Sequence, residues 1–225
     1  MAVSEINRGA LSLVQTQIET PEQRSVPARR ALLACSLLAL ILAFPVPAAA
    51  HDESGLAGGF LSGFLHPLSG FDHALAMIAV GLWGAILGRP LIALLPIVFP
   101  VTMAFGGVLG IAGTPFPPVE IGIAISVLAL GLMVMLAVRA SVIVAAVVVA
   151  AFALFHGYAH GQEAPSVADP VGYSVGFVLC TGLLHLVGIG LGALKALPRG
   201  VLAVRAAGAA IALSGLYFVA EALTE

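Results

Sequence analysis

Charge is what this sequence lacks most. Only 9% of its 225 residues are Asp, Glu, Lys or Arg, against about 25% in an ordinary soluble domain. The shortage is uneven: nine of the twenty formal charges fall within residues 1–54, leaving eleven for the 171 residues that follow. That long stretch cannot clothe a water-facing surface, which excludes a soluble globular domain. Cysteine is scarce too. Cys35 lies in a segment expected to be removed and Cys180 in an apolar run, so no disulfide framework is available. A lipoprotein reading of LLAC (32–35) fits poorly, because the apolar stretch follows the cysteine instead of preceding it. No basic patch accompanies the net charge of −2, so nothing points to a nucleic-acid partner. The GxxxxGK[ST] pattern is missing as well, so the chain does not hydrolyse ATP itself.

What is present is oil. Hydrophobic residues make up 60% of the chain, and the mean hydropathy is +1.12. Apolar runs of about 18–25 residues suit helices crossing a bilayer core of about 30 Å. The expected fold class is therefore all-α, a polytopic bundle of six transmembrane helices in a lipid bilayer.

A leader comes first. Residues 1–30 are polar and end in RSVPARR; an apolar stretch of 14 residues (31–44) follows, then PVPAAA. Positive charge, a short apolar core and small residues at Ala48 and Ala50 describe a cleavable signal peptide over residues 1–50. An uncleaved first span is the alternative. The leader is long, so translation can also start downstream. After it, spans are expected at about 57–88, 91–112, 119–138, 141–160, 171–193 and 203–223, with Pro- and Gly-rich breaks between them. The first is too long for one straight helix and should break near Pro67–Gly70.

Arg89, Arg139 and the group Lys195, Arg199 and Arg205 mark alternate loops, whereas the other connections carry Asp52, Glu53, Glu120, Glu163 and Asp169. Positive residues stay cytoplasmic. Both mature termini are thus expected in the periplasm, with the protein in the inner membrane of a bacterial cell.

Ionisable groups within spans are costly and mark function by default. Asp72 is the only acid well inside an apolar segment; His73 adjoins it and His66 precedes His73 by seven residues. On a straight helix the two imidazoles would share a face about 10 Å apart, too far for one ion. A break between them would fold them together. In FHGYAHGQE (155–163), His156 and His160 stand i, i+4 on one helix face, as in helical zinc sites, and Glu163 follows. The first span enters from outside with its cluster at its start, and the fourth leaves outward with its cluster at its end. Both sets therefore belong at the outer end and can converge. Imidazole with carboxylate suits nickel, cobalt, zinc, copper or iron.

Two histidines are accessory candidates. His185, deep in the fifth span, reads as an inner stepping stone or as a hydrogen-bonding partner of a neighbouring helix. His51, as mature N-terminus, would offer an amine and an imidazole, or else belong to a solvated tail. Structural alternatives exist for the main set as well: an interfacial His66, a helix-capping Asp72, and His156 and His160 packed on Phe155 and Tyr158.

HPLSGFDHALAMIAVGLW (66–83) resembles the signature of the HupE/UreJ family of bacterial nickel or cobalt permeases. FHGYAHGQE resembles a second motif of that family, and the fifth-span histidine fits it too. The HxxxxDH pattern of a larger nickel–cobalt transporter class is similar but one residue shorter, so its details are not carried over. The resemblance covers residues 51–225 and implies a six-helix permease domain there. It also implies uptake of nickel or cobalt as transported ion, without a resident cofactor, and a functional link to hydrogenase or urease. His66, Asp72 and His73 would form the first metal site, with His156, His160 and Glu163 beside it. Assembly as a homo-oligomer stays open. The rival class is a membrane-embedded zinc-dependent hydrolase, which needs three protein ligands and an open position. A metal sensor or accessory subunit is the third, although the loops are too short to build a signalling face.

Overall fold

The computed structural model describes residues 56–163 and 169–224. The expected leader and signal peptide, and His51, lie outside the described residues. Within them the chain is helical throughout: α1 (Leu56–Ser69), α2 (Phe71–Leu87), α3 (Leu91–Ile111), α4 (Val119–Met135), α5 (Val142–Glu163), α6 (Pro170–Ala193) and α7 (Gly200–Ala222), with a 3-10 turn at Leu194–Ala196.

Local chemistry sets the ends. Gly70 takes an extended conformation between α1 and α2, and the two helices meet at 82°. The expected break is therefore real and falls at Gly70, while Pro67 lies inside the last turn of α1. Gly88, with φ of 80°, closes α2 in the left-handed region where glycine pays no Cβ penalty. Pro90 precedes α3 and Pro118 precedes α4. Asp169 caps α6 by accepting the Gly172 N–H at 3.0 Å, and Pro170 fills the first helical position.

α2 is the axis of the bundle. It packs against α3, α4, α6 and α7, and its residues from Ala76 to Ala85 are nearly all buried, on every face. Around it the most extensive pairings are α3 with α5, α4 with α7, and α1 with α6. Small residues let these backbones touch. A Cβ on Gly157 would strike the Met103 carbonyl, and one on Gly161 the Gly107 carbonyl, so α5 lies directly on α3. Each of those glycines follows a histidine. Successive residues are about 100° apart around a helix, so seating Gly157 and Gly161 on α3 turns His156 and His160 toward α2 and α1.

The basic loops gather at the other end. Lys195 donates to the carbonyl of Ala85 near the end of α2. Arg205 donates to Met135 at 2.7 Å, and Trp83 to Val138 at 3.0 Å. α2 has 17 residues, which separates this end from the histidines at its start by about 25 Å.

The outer surface is apolar: Ile97, Val101, Phe105 and Val108 on α3, Leu186 on α6, and Leu202 and Leu213 on α7 are exposed. Such a belt belongs in lipid. Four helices (α3, α5, α6 and α7) are long and apolar enough to cross a membrane singly, and the bent pair α1–α2 qualifies jointly. α4, with 17 residues, is shorter, about 25 Å against a core of about 30 Å. Over the described residues the protein is thus an all-helical membrane protein, and the third of its six expected crossings rests on a short helix.

Candidate metal site at the broken helix

The 82° break brings the end of α1 and the start of α2 beside the end of α5. His66 sits in the last turn of α1, Asp72 and His73 in the first turn of α2. His160 bridges them: its Nδ1 lies 3.0 Å from His66 Nε2, and its ring centroid lies 4.5 Å from that of His73. The His156 ring stands edge-on to His73 at 4.6 Å. Four imidazoles from three helices are thereby in ring contact, although His66 and His160 are 94 residues apart in sequence.

Each of three rings has one nitrogen engaged and one spare. Asp72 Oδ1 accepts both the backbone N–H of His73 and its Nδ1–H, each at 2.7 Å. Nε2 of His73 is therefore the nitrogen left over. Ser126 Oγ donates to the Ile123 carbonyl at 2.6 Å, which commits its only proton. It must then accept from His156 Nε2–H at 2.8 Å, leaving the lone pair on His156 Nδ1. His160 spends Nδ1 on His66. The remaining atoms (His73 Nε2, His156 Nδ1 and His160 Nε2) are buried and have no hydrogen-bond partner among the described residues. An imidazole held through one nitrogen by a carboxylate or hydroxyl, with the other presented, is how metal-ligating histidines are oriented.

The rings do not yet enclose a common point. Among the described residues no three His, Cys, Asp or Glu side chains are set to hold one ion. Bringing the spare nitrogens together takes rotation of the rings. Asp72 serves as the acceptor that orients His73, and it is not the N-cap: that position is Gly70. A Cβ on Gly70 would come within 3.0 Å of both Asp72 Oδ1 and His73 Nδ1, so the pair leaves no room for a side chain there.

The walls are aromatic. Phe177 of α6 packs on His160 at 4.7 Å, and Tyr173 on His66 at 5.7 Å. Phe155 and Tyr158, on which the structural alternative would pack His156 and His160, instead flank Phe116. A cavity of about 670 Å³ reaches His160 between α3, α5 and α6, with Gln162, Tyr173 and Ser174 in its lining. A smaller hollow of about 90 Å³ is lined by Asp72, Glu120 and Glu221.

Of the residues singled out in the sequence, His66, Asp72, His73, His156 and His160 come together. Glu163 is the last residue of α5, and its side chain lies outside what is described. His185 stands apart, wholly buried in α6. Sequence reasoning passed over Ser126, Phe99 and Phe177. Ser126 carried a signal, being the lone hydroxyl in the apolar run of α4.

A bundle with an apolar exterior and a buried histidine cluster at a helix break defines a membrane protein with a polar centre at one end. The chain belongs to the HupE/UreJ family: the family described as HupE / UreJ protein matches residues 38–218. It is similar to Protein HupE of Rhizobium leguminosarum bv. viciae, 46% identical over 176 residues, which are 78% of this chain and 92% of that protein. No solved structure matches the chain.

Proposed function

We propose that the protein is an inner-membrane permease for a divalent transition metal, nickel or else cobalt, serving hydrogenase or urease. The observation that carries this reading is the set of three imidazoles whose spare nitrogens are buried together, each ring held through its other nitrogen. Family membership supports it.

The ion is substrate, and the chain's residues do the work. Asp72, Glu120 and Glu221 share the acidic hollow, and like-signed charge in a cleft concentrates cations. His66, His73, His156 and His160, with Asp72 and Glu163 beside them, exchange for water on the ion; rotation of the rings onto one centre is the loading step. The end of α1 moves relative to α2 about Gly70 to release it. In this reading α4 completes six crossings, both mature termini are periplasmic and the basic loops are cytoplasmic. Secondary transport or facilitated diffusion drives the flux, and no enzymatic step is involved.

The test is uptake of radiolabelled nickel by cells expressing the chain, with cobalt and zinc as competitors, compared with His73→Ala. Saturable uptake, selective competition and collapse in the variant are expected. No uptake of any divalent metal despite verified membrane insertion would sink the permease and leave the zinc hydrolase as the reading to pursue.

A further inference from the structure

Below the imidazole cluster the interior holds polar groups that the cluster does not use. His185 and Thr181 stand one turn apart on the same face of α6, and both are wholly buried. Neither ring nitrogen of His185, nor the hydroxyl of Thr181, has a hydrogen-bond partner among the described residues. Buried polar atoms are nearly always paired. Three unpaired ones on adjacent turns of one helix mark a place shaped for something polar.

Phe99 of α3 stands between this place and the outer cluster. It is wholly buried; its ring centroid is 5.6 Å from that of His156 and 5.4 Å from that of His185. His185 lies eight residues beyond Phe177, which flanks the outer imidazoles, and so about 12 Å further along α6. Toward the basic end, then, the order is imidazole cluster, phenyl ring and the His185 imidazole, with Thr181 one turn nearer the cluster on α6.

The geometry points to an inner divalent-cation subsite at His185 and Thr181, gated from the outer cluster by the Phe99 ring. The inference rests on the permease reading and extends it inward. An imidazole nitrogen and a hydroxyl oxygen replace part of the hydration shell of a transition-metal ion. A phenyl ring offers no lone pair to replace water on a transition-metal ion, so it serves as a barrier between the two imidazole sites that must swing aside for the ion to pass. A histidine kept for packing alone would have one nitrogen bonded to a neighbouring helix. In His185 neither nitrogen is so bonded.

The experiment uses the full chain in proteoliposomes, with radiolabelled nickel uptake measured beside nickel bound per purified protein. Four forms are compared: unaltered, His185→Phe, Thr181→Val and Phe99→Ala. His185→Phe keeps a ring against Phe99 but removes both ring nitrogens, and Thr181→Val keeps the shape without the hydroxyl. His185→Phe should slow uptake about tenfold or more and lower the bound nickel, while tight binding at the outer cluster survives. Thr181→Val should slow uptake by a smaller factor. Phe99→Ala should admit cobalt and zinc at rates closer to that of nickel.

Uptake by His185→Phe at the unaltered rate, or slowed uptake with bound nickel unchanged, overturns the inner subsite. Loss of outer binding in that variant assigns His185 to the fold, and overturns it equally. If His185→Phe fails to insert, Thr181→Val at the unaltered rate overturns the subsite in its place. Phe99→Ala unchanged in both rate and selectivity overturns the gate. An unaltered chain that moves neither nickel nor cobalt nor any other divalent metal refutes the permease itself, a result distinct from any pattern among the variants.

Discussion

Removing the Ser126 hydroxyl tests the ligand arrangement without touching any imidazole. Ser126 is wholly buried. Its Oγ accepts from His156 Nε2–H at 2.8 Å while donating to Ile123. In Ser126→Ala the ring has two options. It keeps the proton on Nε2, now buried and unpaired, at a cost of about 1–3 kcal/mol. Otherwise it moves the proton to Nδ1, covering the nitrogen that would face the ion. The second route weakens metal binding by up to that amount, roughly 5- to 150-fold in half-saturating concentration at about 1.4 kcal/mol per tenfold, whereas the first is felt with and without metal and lowers the stability of the fold. The change in shape is one oxygen atom, so insertion and expression should match the unaltered chain. Nickel uptake in proteoliposomes over a range of concentrations reads the effect. Half-saturation within twofold of the unaltered value, together with an unmoved thermal transition, would refute the assignment of the His156 lone pair, and with it the part of this ring in the site.

Other perturbations give separate readings. Gly70→Ala places a Cβ within 3.0 Å of Asp72 Oδ1 and His73 Nδ1; uptake should fall several-fold with insertion intact, and a normal uptake curve would show that the pair tolerates displacement. Gly157→Ala drives a Cβ into the Met103 carbonyl, and overpacking costs about 1–3 kcal/mol. Its thermal transition in detergent should drop by several degrees, whereas no drop would mean that α3 and α5 separate freely.

Much of the architecture was legible because punctuation in a membrane chain is plain. Gly88, Pro90, Pro118 and Pro170 stop or start helices within a few residues of the expected boundaries. The convergence of His66, Asp72 and His73 with His156 and His160 followed from topology alone, since alternate spans must return to the same end. The rotation of each helix was not legible. In water an amphipathic pattern tells which face is buried, but here Ile97 faces outward and Leu95 inward on the same helix, and both are equally apolar. Ser126 opposite His156, and Phe99 between His156 and His185, depend on those rotations. They are set by glycines such as Gly157 and Gly161, whose role appears only once the partner backbone is in place.

Enclosing α2 on every side has a consequence for biosynthesis. The helix is made early, yet α6 and α7, which cover much of it, begin about a hundred residues later, at Pro170 and Gly200. A nascent chain must hold α2 in the membrane with the His73–Asp72 pair lacking its imidazole neighbours until α5 delivers His156 and His160. The histidine cluster is therefore a late product of assembly, and a ribosome that stops before α5 leaves in the membrane only half of the candidate ligands.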